Sequence, residues 1–67
     1  MAVLKVIEVL ADSDKSWEDA TSRAVAKASD SLKHVRSAFV QSQTVTVKDG
    51  KVDKYRVNVK ITFEIDD

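Results

Sequence analysis

The chain contains no cysteine and no proline, and it has one glycine, one histidine, one tryptophan, one tyrosine and two phenylalanines among 67 residues. Without cysteine there is no disulfide and no thiolate metal centre to hold a short chain together. With His34 as the only histidine, a His-based structural zinc is excluded too. Charge of one sign is not in excess. Eleven basic residues face eleven acidic ones, which argues against a general nucleic-acid or membrane-surface binder. The opening stretch MAVLKVIEVLADSD breaks its apolar run with charge, and reads as neither a signal peptide nor a membrane span. There is no GxGxxG, P-loop, HExxH or GxSxG. The hydrophobic fraction of 43% is nevertheless too high for a disordered chain of zero net charge. The expectation is one soluble cytoplasmic domain over residues 1–67. Ordering costs about 1.5 kcal/mol per residue, which a core this small barely offsets, so self-association is the remaining route to stability.

The pattern reads strand, helix, strand, strand. Residues 3–11 are apolar on both faces apart from Lys5 and Glu8, which predicts a strand covered on both sides. Ser16, with Glu18 and Asp19 following, predicts a helix N-terminus. Trp17, Ala20, Ala24, Ala28, Leu32 and Val35 then recur at helical spacing, and the stripe predicts a helix ending near Val35. Its alanines allow a close approach to a sheet. Lys33, His34 and Arg36 suit the negative end of the helix dipole. Residues 37–47 and 52–65 read as strands joined by Asp49-Gly50, the turn pair that accepts φ > 0 at both central positions. In the last strand Tyr55, Val57, Val59, Ile61, Phe63 and Ile65 alternate with polar residues.

A two-residue loop at Asp49-Gly50 sets a simple register. Lys48 faces Lys51, Gln43 faces Arg56, Gln41 faces Asn58, Val40 faces Val59, Phe39 faces Lys60 and Ala38 faces Ile61. A bulge would shift these pairs. One face is then apolar and meets the helix, while the other carries Phe39, Gln41, Gln43, Arg56, Asn58 and Lys60. A strand over residues 52–65 would run roughly 46 Å at about 3.3 Å per residue, against a radius of gyration of about 11 Å for a compact chain of this length. The hairpin should therefore project beyond its helix and be completed by other copies.

Candidate chemistry is sparse. His34 reads as a surface residue at a helix end rather than a base, and Trp17 as a staple of the helix rather than a stacking platform. Asp12 with Asp14, or Glu64 with Asp66 and Asp67, could hold a hard cation, but the twelve-residue EF-hand loop is absent, so solvated acids are the plainer reading. Arg56 among Gln41, Gln43 and Asn58 could grip a phosphate or carboxylate. No nucleophile–base constellation points to an enzyme.

Taken in order, KVIEVLADSDKSWEDATSRAVAKASDSL and KDGKVDKYRVNVKITFEIDD resemble the dodecin family over about residues 3–66. The resemblance implies an α+β fold of β-α-β-β order, a three-stranded antiparallel sheet wrapped around one helix, assembled as a hollow homododecamer. It also implies flavin storage by stacking between paired tryptophans. Ser37 stands where flavin-binding members carry that tryptophan, and Arg56 where they carry a glutamine after the aromatic residue of the third strand. The YR pair is closer to tryptophan-less dodecins such as calcium dodecin. The sequence thus points to an oligomeric, non-catalytic cage that binds, stores or buffers a small ligand or ion. Ser37, Gln43, Arg56 and Asn58 are its candidate binding residues, and flavin or calcium its candidate cofactors. The rivals are a cage with no physiological ligand and a flavin binder that uses another aromatic residue. The expected partners are copies of itself and a small ligand, with neither nucleic acid nor membrane.

Overall fold

The cleanest alternation in the sequence belongs to the middle of the sheet. The computed structural model describes residues 2–65, as β1 (Val3–Ser13), α1 (Trp17–Ser31), β2 (Val35–Lys48) and β3 (Lys51–Ile65). The strand order is β1-β3-β2, with both outer strands antiparallel to β3. A central strand needs one face to bury, and β3 supplies it with Val57, Val59 and Ile61, all 0% exposed. Burying such side chains is worth about 1.5–3 kcal/mol each. They meet Ala20, Ala24 and Ala28 of α1, whose methyl groups let the helix lie close to the sheet. Ile7, Val9, Ala11, Trp17, Leu32 and Val35 pack around this cluster.

Ser16 caps α1 as expected, its hydroxyl accepting from the Asp19 N–H at 3.0 Å. The far end differs from expectation. The helix stops at Ser31, and Leu32 is extended while its N–H still reaches the Ala28 carbonyl at 2.8 Å. Val35 opens β2 opposite Phe63, because the core it faces is reached equally well from a strand. The reversal passes through His34 in the left-handed region, φ 60, and its carbonyl accepts from the Glu64 N–H at 3.0 Å. Lys33, His34 and Arg36 therefore lie beyond the helix, and its last turn has no basic residue. At the hairpin, Asp49 (φ 53) and Gly50 (φ 75) both take positive φ, the type I′ pattern predicted for this pair.

The simple hairpin register holds at both ends and fails in between. Lys48–Lys51, Phe39–Lys60, Val40–Val59 and Ala38–Ile61 pair as predicted. Between them Asp53 on β3 and Gln41 on β2 are each an extra residue, so Ser42 faces Asn58, Gln43 faces Val57 and Thr44 faces Arg56. The offset moves Val45 from opposite Lys54 to opposite Tyr55. An apolar side chain is thereby matched to the aromatic one, a gain that an unbulged ribbon would forgo. Arg36 is a third extra residue, near the start of β2.

β1 also departs from expectation. It pairs with β3 without a break from Val3–Ile65 to Ser13–Tyr55, but it is an edge strand. Leu4, Val6 and Leu10, on its face away from α1, are half-exposed or more in the single chain. The hairpin projects as predicted. The molecule measures 51 × 19 × 13 Å with a radius of gyration of 13.7 Å, and Val45, Val47 and Val52 are exposed along the arm.

Candidate functional site

Pairing assigns every strand residue to one of two sheet faces. The face turned from α1 carries Lys54, Arg56, Asn58, Lys60 and Thr62 of β3. Beside them stand Asp12, Leu10, Glu8 and Val6 of β1, and Thr46, Thr44, Ser42, Phe39 and Ser37 of β2. Three of the four predicted binding residues, Ser37, Arg56 and Asn58, thus share this face. Gln43 does not. The extra residue at Gln41 turns it onto the Val57 side, correcting the face predicted for it. Ser37 pairs with Thr62, four positions along β3 from Asn58, or about 13 Å away at strand rise.

Arg56 holds a carboxylate of its own chain. Its Nε donates to Asp12 Oδ1 at 2.7 Å and its Nη2 to Asp12 Oδ2 at 3.1 Å, the two-pronged geometry that a guanidinium offers to a carboxylate or a phosphate. These hydrogen bonds, helped by the charges of Arg56 and Lys54, hold the Asp12 carboxyl below its ordinary value and keep Arg56 protonated more firmly than usual. Asn58, two positions further along β3, has its Oδ1 buried and without a donor, an acceptor that the single chain leaves unmet.

Two of the acids read as possible cation ligands, Asp12 and Glu64, have other partners. Asp12 faces Arg56, and Glu64 accepts from Arg36 Nε at 3.2 Å. Asp66 and Asp67 lie outside the described residues. Among the described residues no three carboxylate or imidazole side chains converge to hold a metal ion.

Two features escaped the sequence reading. The first is Asp12 as the partner of Arg56. Aligning the alternation of β3 with that of β1 would have placed the two opposite each other. The second is Ser13, which is buried. Its hydroxyl donates to Asp19 Oδ2 at 2.6 Å and accepts from the Lys15 N–H at 2.9 Å and the Ser16 N–H at 3.4 Å. Arg23 Nε donates to the same Asp19 oxygen at 2.8 Å. Ser13 first and Arg23 second therefore pull the Asp19 carboxyl below its ordinary value. Trp17 acts as the staple predicted. Its indole N–H donates to the Thr44 carbonyl at 2.9 Å, and its ring meets Tyr55 edge-on with centroids 5.3 Å apart. Both groups tie the helix start to the sheet.

The arrangement of strands, helix and hairpin matches the family model for dodecin over residues 3–66. The chain belongs to the dodecin family. Calcium dodecin of Mycobacterium tuberculosis is 35% identical over 65 residues, spanning 97% of this dodecin chain and 92% of that protein. The crystal structure of that calcium-chelating antigen, described with its calcium-binding site, has a TM-score of 0.84 at 37% identity over 96% of this chain and 91% of the other. The dodecin of Streptomyces coelicolor has a TM-score of 0.94 at 26% identity, covering 98% of this dodecin and 94% of its own chain. The predicted α+β fold, a β-α-β-β chain with a three-stranded antiparallel sheet around one helix, is thus the one observed.

Proposed function

We propose that this dodecin assembles as a closed homododecamer that binds, stores or buffers a small ligand or ion and catalyses no reaction. The observation that carries the reading is the sheet face turned from the helix. There Leu10 is 62% and Phe39 63% exposed in the single chain, beside the Asp12–Arg56 pair and the unmet Asn58 acceptor. Apolar side chains on that scale need covering, and a covering copy would enclose the polar groups between them. Ser37, Arg56 and Asn58 would line such a site, and Gln43 would reach it only from a neighbouring copy. The likeness to calcium dodecin supports an ion as cargo. Since no three acids converge among the described residues, a calcium site built from them would draw on more than one protomer. Serine at position 37 offers no ring to stack on, so neutral flavin would bind weakly. Balanced charge and the small core fit a soluble cytoplasmic protein. No helix among the described residues is long and apolar enough to cross a membrane.

Native mass spectrometry of the purified protein tests the reading, because it reports subunit number and retained ligand together. The expected result is a twelve-subunit particle that takes up calcium or a small molecule in fixed ratio and quenches riboflavin fluorescence little. A monomer at micromolar concentration would overturn the assembly. A dodecamer that stays empty against both calcium and small molecules would leave a purely structural cage.

A further inference from the structure

The outer sheet face has one stretch where donors outnumber acceptors. Lys54 and Arg56 follow each other at alternate positions of β3, with Thr46 and Thr44 beside them on β2. Thr46 Oγ1 accepts from the Lys54 N–H at 3.0 Å, so its proton remains to be donated. On the β1 side of this stretch the described residue paired with Arg56 is a carboxylate, Asp12. Asp53, next to Lys54, is the extra residue of a bulge and faces no residue of β2. Asp12 uses two N–H groups of the guanidinium, Nε and one on Nη2, and three are left over. The pair is also substantially exposed, 44% for the Arg56 side chain and 37% for Asp12, and exposed pairs hold weakly.

We propose that Thr46, Lys54 and Arg56 form a seat for the oxyanion of a phosphorylated small molecule, and that Asp12 occupies this seat as an internal competitor until the ligand displaces it. The proposal rests on the small-ligand reading above and names its substrate class. The guanidinium fork fits a phosphate as well as a carboxylate. A phosphate group brings close to two negative charges where Asp12 brings one, and Lys54 stands beside Arg56 to meet the second. Asp12 thereby sets specificity. An anion too weak to displace it, or a neutral ligand, gains nothing from Arg56.

Calorimetric titration of the assembled protein with pyrophosphate at low ionic strength tests this in the wild type, Asp12→Asn, Arg56→Ala and the double variant. Asp12→Asn should tighten binding about fivefold, the scale on which an exposed ion pair competes. Arg56→Ala should abolish binding, and adding Asp12→Asn to it should restore nothing. Riboflavin 5′-phosphate should displace pyrophosphate where riboflavin does not, separating a phosphorylated organic ligand from the bare ion. An unchanged affinity in Asp12→Asn, the same gain without Arg56, or equal displacement by both flavins would overturn the proposal. Should Asp12→Asn fail to assemble, the wild type gives the answer. Saturating pyrophosphate should raise the pKa of the Asp12 carboxyl, followed by carbon-13 shifts, and a value that does not move refutes displacement. Sedimentation of each sample separates the two readings. An intact particle without these effects refutes the seat alone, whereas a monomeric wild type removes the cage and the seat with it.

Discussion

At Gly50 there is room for a side chain but not the backbone to carry one comfortably. A Cβ built there would meet nothing within 4 Å, yet φ is +75. The cost of a substitution is therefore conformational and not steric. Gly50→Ala should lower unfolding free energy by about 1–2 kcal/mol, measured by urea denaturation. Gly50→Asn should cost clearly less, because a short polar side chain tolerates this region, as Asp49 does next door at φ 53. Equal losses for the two would show that the positive φ is not the source. Acid supplies a second test at this scale. Asp12 and Asp19 both have folded-state pKa values below the ordinary 3.8, so the unfolded chain takes up their protons first as pH falls. Their contribution is complete above the unfolded value and is lost as pH drops through the folded ones. The urea midpoint should fall between about pH 5 and pH 2, and Asp19→Asn should flatten that fall.

Between β1 and α1 the chain is ordered by two serines that share one aspartate. Ser16 caps the helix through the Asp19 N–H, and Ser13 binds the Asp19 carboxylate while receiving two N–H groups of the link. Ser16→Ala should cost about 1 kcal/mol, the usual loss of a cap. Ser13→Ala should cost more, about 1–3 kcal/mol, since it removes a buried hydroxyl that serves the Asp19 carboxylate and two part-buried N–H groups. The double variant should fall short of the sum, because both act on one residue. A Ser13→Ala protein as stable as the wild type in urea would show that water replaces the hydroxyl. The contrast between these serines tells what sequence could and could not disclose. Ser16 was legible because a cap is a local pattern, as were Asp49-Gly50 and the alternation of β3. Ser13 was not, since its partners are fixed by where β1 ends relative to the helix. The helix stop was obscured because Val35 keeps helical spacing while serving the core from a strand. The outer face was legible in its β3 half. Its β2 half was displaced by bulges at Gln41 and Asp53, which give no sequence signal, and that is why Ser42 and Thr44 replace Gln41 and Gln43 beside Asn58 and Arg56. Asp12 was visible as an acid and invisible as a partner until β1 and β3 were set in register.

As a whole, the molecule is a ribbon 51 Å long around a core of six buried apolar residues. Three of those six are alanines, so the largest buried side chains are Ile61, Val57 and Val59. Leu10, on the opposite side of the sheet, is the residue whose replacement best separates a lone chain from an assembled one. In a lone chain it is 62% exposed, and an exposed substitution shifts stability by about 0.5 kcal/mol or less. In the closed particle proposed above the same face would be covered, and a lysine there would bring an unpaired charge out of water, at a cost of several kcal/mol. Leu10→Lys should therefore release smaller species by sedimentation velocity, with a melting temperature that becomes dependent on protein concentration. Ser22→Lys, on the exposed side of α1, should sediment like the wild type. A Leu10→Lys protein that assembles and melts like the wild type would mean that the sheet face stays open to water, and that the contacts between copies are made by the projecting hairpin alone.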